Sequence, residues 1–235
     1  MKQLDIIQRN MFCRLRTEAF HTGEQEEPMS PYKKRRLERM FQAVNAASTG
    51  KVTFTNPLMA NRLRKIINQE SKQTEQSSCT LEVLKLIVAN INVTLNRGIP
   101  VNGIIKLGMF IREHNNDIDF DRLSHWLSLL HASSMAQLQG NILITFFKFK
   151  PEEVPFVHYL NKGATKLMLK SLRDTGMDTE KEWHFKQLSS GFVTNNTTIL
   201  RRNLTRSMRY FGYMPFETIC NFVHNFIRSL SEIEE

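Results

Sequence analysis

The chain has 235 residues, with 32 Lys and Arg against 23 Asp and Glu and a formal net charge of +9. A 41% hydrophobic fraction with 23% charged residues excludes wholesale disorder, and only 10 Gly and 7 Pro predict long regular elements. The three cysteines, Cys13, Cys79 and Cys220, lie far apart without C-x-x-C spacing, which argues against a disulfide framework or a cysteine zinc site and for a reducing, intracellular setting, cytoplasmic or nuclear.

Apolar residues at Leu4, Ile7, Met11 and Leu15, with Phe20 near the end, predict a helix over 3–20, stopped at His21-Thr22-Gly23. Residues 1–22 therefore read as an N-terminal helical arm and 23–29 as an acidic linker. Such an arm either packs on its own chain or reaches to another copy, making a homo-oligomer. The opening segment carries acids and arginines within its apolar pattern, so it is not a signal peptide, and the longest apolar run, Ile142 to Phe147, is too short to span a membrane.

Residues 30–72 form a basic helical unit. Ser30 is a good N-cap and Pro31 suits the first helical position, so a helix is predicted from there to the Ser48-Thr49-Gly50 break. On a helical wheel Leu37, Met40, Phe41 and Val44 share one face, while Arg35, Arg36 and Arg39, with Tyr32, fall on the other. A short extended piece is expected near 51–55. Asn56-Pro57 then repeats the cap-and-proline device, and Met59, Leu63, Ile66 and Ile67 form a face opposite Lys65, flanked by Arg62 and Arg64. Residues 30–72 hold ten Lys and Arg against Glu38 and Glu70, a net of +8, so the basic charge is segmental.

The polar stretch 71–79 reads as an exposed loop before the main helical core, 80–235. Thr80 to Arg97 carries a broad apolar stripe and is predicted to be central, closed by Gly98 and Pro100. Further helices are expected from Asn102 to Glu113, from Asp119 or Asp121 past Leu130, and from Ser133 or Ser134 to Phe149. The last becomes apolar all round, and its β-branched and aromatic content also permits a strand at 141–149. A helical turn is expected at 156–160 and modest helices at 164–173 and 179–188. A second basic helix is predicted at 197–211, with Leu200, Leu204, Met208 and Phe211 on one face and Arg202, Arg206 and Arg209 opposite. The final helix begins at Pro215 and is expected to pack through Phe216, Ile219, Val223, Phe226, Ile227 and Leu230.

The sum is an all-α fold of roughly nine to eleven helices, in one domain or two closely packed lobes. No catalytic or cofactor motif accompanies it. Gly98, Gly103 and Gly108 lack the Lys-Ser/Thr of a phosphate loop; Asp117, Asp119 and Asp121 lack the Gly and Glu of a calcium loop; the histidines show no metal-ligand spacing. An enzyme, a metal and a cofactor are thus not expected. The expected activity is binding of nucleic acid, RNA or single-stranded DNA, in a coating or packaging role. Candidate contacts are Lys33, Lys34, Arg35, Arg36, Arg39, Arg62, Arg64, Lys65, Arg201, Arg202, Arg206 and Arg209, with Tyr32 and Tyr210 as rings on which bases could stack. The rival reading is a helical scaffold whose basic faces meet an anionic membrane or an acidic protein.

Overall fold

The protein is described by a computed structural model covering residues 4–46, 50–70, 75–161, 163–173, 205 and 208–231. It is all-helical, with ten helices and no strand among the described residues. The helices are α1 (Ile6–Phe20), α2 (Pro31–Asn45), α3 (Pro57–Glu70), α4 (Glu75–Arg97), α5 (Val101–Glu113), α6 (Phe120–Leu129) and α7 (Ser133–Phe147). After a 3-10 turn at Pro151–Glu153 come α8 (163–173), α9, described at 205 and 208–210, and α10 (Pro215–Ser231). The helix expected at 179–188 and most of that expected at 197–211 lie outside the described residues.

The reason for this arrangement is α7. Eleven of its residues, from Met135 to Phe147, are buried, and they point in every direction around the helix. A helix buried in so many directions must be enclosed by others. α4, α5, α6 and α1 all pack on it. The strand alternative at 141–149 fails because helical bonding continues to Phe147, ending at Lys148 in the left-handed region (φ 57°). A Cβ added at Gly140 would overlap Val157 and Phe156, so this position must stay bare for the segment after α7 to lie back across it.

α4 is the other axis of the fold. It touches α3, α5, α6, α7 and α10, with Leu84, Ile87, Val88 and Ile91 shut off from solvent. Its segment Ser78–Arg97 has the length and apolarity to cross a membrane, but 61% of that window is buried inside the protein, as expected of a core helix. α4 starts at Glu75, so residues 75–79 are helical rather than loop, and no Gly or Pro interrupts them. A buried amide pair fixes α4 against α7. Asn90 donates to Gln139 Oε1 at 3.0 Å, and Gln139 donates to the Ile87 carbonyl at 3.1 Å.

Residues 51–55 form neither strand nor helix; Phe54 anchors them in the core. The expected turn of helix at 156–160 is instead an irregular crossing, and the helical turn falls earlier, at Pro151–Glu153.

The N-terminal arm packs on its own chain. Asp5 caps α1 through a reciprocal bond pair with Gln8, and Ile7, Met11, Phe12 and Leu15 are buried in the same hydrophobic cluster that runs to Met214. The Phe12 ring sits 4.4 Å from Phe146 and 5.9 Å from Phe147, centre to centre. The acidic linker then fastens α1 from outside. Glu27 pairs with Arg9 (2.6 Å), Glu26 with Arg14 (2.7 Å), and Glu24 with both Arg16 (2.8 Å) and Lys148 (3.0 Å). Asn10 and the Glu27 backbone exchange two hydrogen bonds, at 2.7 and 2.9 Å.

Phe12→Ala empties an enclosed aromatic site and should cost about 3–5 kcal/mol in denaturant unfolding; a loss below about 1 kcal/mol would mean that α1 is a detachable arm. The Glu24 carboxyl is held down to about 2, from 4.5, first by its hydrogen bond to Arg16 and then by Lys148. A depressed carboxyl stabilises the fold fully above its unfolded value and loses that contribution as pH falls from there through the folded value. Glu24→Gln should therefore lower the melting temperature at neutral pH, and the difference from the parent chain should shrink between pH 4.5 and 2.

Candidate nucleic-acid interface

α2 builds the basic face as the sequence pattern requires. Leu37, Phe41 and Val44 are buried against the body and Met40 is half-buried, which turns Lys33, Lys34, Arg35, Arg36 and Arg39 outward, all exposed. α1 and α5 are the surfaces beneath. None of these five cations forms an ion pair with a described carboxylate. The acids nearest in sequence are already engaged. Glu26 and Glu38 both hold Arg14, and Glu24 and Glu27 hold Arg16 and Arg9. Those ion pairs raise the Arg9 and Arg14 guanidinium pKa values and lower that of the Glu27 carboxyl, chiefly through the hydrogen bonds themselves.

The position of the cations along α2 matters as much as their exposure. Lys33, Lys34, Arg35 and Arg36 occupy the first turns, which contain no acid, and Ser30 makes no side-chain cap bond. A helix N-terminus already carries partial positive charge, so cations there are mildly unfavourable to the helix and add to the field that attracts an anion. Tyr32 stands beside them, 65% exposed.

α3 supplies a second exposed set. Asn56 caps it, accepting from the Leu58 N–H at 3.0 Å, and Arg62, Arg64 and Lys65 point to solvent. Arg62 has a structural task as well: it donates to the Leu129 carbonyl at 2.8 Å, at the negative end of α6. Arg64 leans on Asn61 at 3.3 Å.

The expected third set is only partly described. Arg201, Arg202 and Arg206 lie outside the described residues, and Arg209 is half-buried. Tyr210 requires a correction. The sequence pattern places it beside the arginines as an exposed ring, but at 1% exposure it is among the largest fully buried side chains, because α9 turns it into the core cluster with Met214. It has no face to offer a base.

Two features assemble only in three dimensions. Cys79, at the start of α4, comes together with His114 and Asp117 of the turn after α5, their ligand atoms all within 4.8 Å of one another. No spacing rule joins residues so far apart in sequence. Three donors with an exposed Asp117 fall one short of a closed zinc site, and the His114 ring is tilted against Phe110 at 4.4 Å. A cavity of about 260 Å³ lies between α4 and α5, edged by Lys85, Lys106, Glu82 and Asn102. On its rim Lys85 donates to the Glu82 carboxylate at 3.2 Å.

No protein-family model matches the chain, nor does any curated protein or solved structure.

Proposed function

We propose that the protein binds nucleic acid through the exposed face of α2, with RNA or single-stranded DNA as the ligand and the phosphate backbone as the main contact. The observation that carries this reading is the set of five exposed cations, Lys33, Lys34, Arg35, Arg36 and Arg39, unmatched by any described carboxylate, the first four of them in the opening turns at the positive end of the helix. A solvated helix face gains nothing from that placement, whereas a phosphate-binding face does. Tyr32 supports the single-stranded ligand, since an exposed ring beside arginines can stack on an unpaired base but not on a closed duplex. Arg64 and Lys65 on α3 are further exposed cations for a strand longer than α2 can hold. The role is coating rather than sequence reading, because contacts to phosphate carry no base information.

Fluorescence anisotropy with a labelled single-stranded RNA over a range of salt concentrations tests this. The logarithm of the affinity should fall linearly with that of salt. Replacing Arg35, Arg36 and Arg39 by Ala should reduce the slope by about 2, since each phosphate neutralised on a single strand contributes ~0.7 to it. Tyr32→Ala should weaken binding about tenfold or more without changing the slope. Binding to anionic vesicles with no binding to RNA or single-stranded DNA at physiological salt would overturn this reading in favour of a membrane-facing scaffold.

A further inference from the structure

α10 is amphipathic with its two sides exchanged. The side turned to the body is polar: Glu217, Thr218 and Asn221 are buried. The Glu217 carboxylate accepts the backbone N–H groups of Thr55 (2.5 Å) and Asn56 (2.9 Å). Asn221 and Asn225 both donate to Asn96 Oδ1, at 3.2 and 2.9 Å. The opposite side holds Phe216, Ile219, Val223 and Ile227, exposed by 62, 50, 47 and 60%, with Phe226 at 39%. The sequence alone predicts these residues to be packed inward; the buried carboxylate and amides turn them out. Their open apolar area is roughly 500 Å², near the upper limit for a monomer's largest patch.

We infer that this face is the contact between two copies of the chain, with α10 antiparallel to α10 about a two-fold axis at Val223. The first argument is spacing. Positions 216, 219, 223, 227 and 230 follow intervals of three, four, four and three residues, a stripe on one side of α10 that a second helix with the same intervals fills. The seam is symmetric about Val223, so in an antiparallel pair Phe216 opposes position 230 and Ile219 opposes Ile227. The second argument is charge. Ser231 is followed in the sequence by Glu232, Ile233, Glu234 and Glu235, while α10 is preceded by Arg209 and its first turn is bonded to the start of α3, the helix that carries Arg62, Arg64 and Lys65. In sequence order the acids follow α10 and none directly precedes it, so antiparallel pairing keeps like charges apart, whereas parallel pairing would set three glutamates against three. The pair covers roughly 1,000 Å² in total, the lower limit for a specific interface, so the dimer is a weak and reversible one.

Sedimentation of the full chain from about 1 to 100 μM tests the inference: a monomer–dimer equilibrium is expected. Ile219→Glu or Val223→Glu should leave only monomer with unchanged helicity and melting temperature, since both side chains are already solvated in the monomer. A covalent readout stands apart from any folding defect. With Cys79 and Cys220 replaced by Ser, Val223→Cys should oxidise to a disulfide-linked dimer. Phe216→Cys should not crosslink with itself but should crosslink when mixed with Leu230→Cys. A monomer throughout the concentration range, a dimer that survives both Glu variants, or self-crosslinking of Phe216→Cys would each overturn the proposal. RNA affinity is a separate measurement and is expected to persist in Ile219→Glu, so failure of the dimer and failure of the proposed binding are distinguishable.

Discussion

The fold depends on enclosing α7. A fifteen-residue helix with eleven residues buried, in directions all around it, cannot sit at a surface, and its neighbours take their places from that requirement. α4 runs against it through the Asn90–Gln139 pair, which sets the register of the two helices. That pair matters for specificity more than for stability: apolar contacts tolerate sliding, whereas a buried amide displaced from its partner costs about 1–3 kcal/mol. α1 closes the remaining side. Its rings meet Phe146 and Phe147, and Arg112 caps the cluster, 3.8 Å above the Phe149 ring.

The partition of charge follows from the same enclosure. To hold α1 against α7 the chain brings the 23–29 segment back along the helix, and the acids of that segment each find an arginine of α1 or a lysine next to α7. Glu38, an acid of α2 itself, is drawn into this set by Arg14. The negative charge that could have neutralised α2 is therefore engaged beneath it. Exposed ion pairs of this kind are individually worth little in stability, but together they decide which cations remain open to a ligand.

Much of this is written in local patterns. Proline at N1, glycine after Arg97, and apolar positions at three- and four-residue intervals mark α2, α3, α4 and α5 within a few residues, because those signals act within one turn of the chain. The dense apolar run Ile142–Phe147 in α7 likewise announces a central helix. What local pattern does not carry is which side of a helix the rest of the molecule takes. α2 and α10 have equally clear apolar stripes, yet Leu37 and Phe41 face inward and Ile219 and Val223 face outward. The difference lies in partners more than 120 residues away, Asn96 and the backbone of Thr55 and Asn56, which compete for the polar side of α10. Tyr210 illustrates the same limit. Its neighbours in sequence are basic, but its environment is set by the core cluster, and a phenol ring gains more by burial than by company with arginine.

The buried carboxylate of Glu217 is the key to the unusual polarity of α10. Turning the helix by half a revolution would cover Phe216 and Ile219 but would remove a charge-assisted pair of hydrogen bonds and leave the amides of Thr55 and Asn56 without an acceptor. Each such loss costs about 1–3 kcal/mol, comparable with the gain from burying one aromatic side chain. The observed orientation keeps the polar bonds within the chain and leaves the apolar gain to come from outside it. A helix held in this way is rigid before it meets anything, because Asn221, Asn225 and Glu217 pin it along about two turns. Little ordering entropy then remains to be lost on association, and a patch of modest area suffices to bind. Polar bonding inward and apolar display outward are thus two results of one choice of helix orientation.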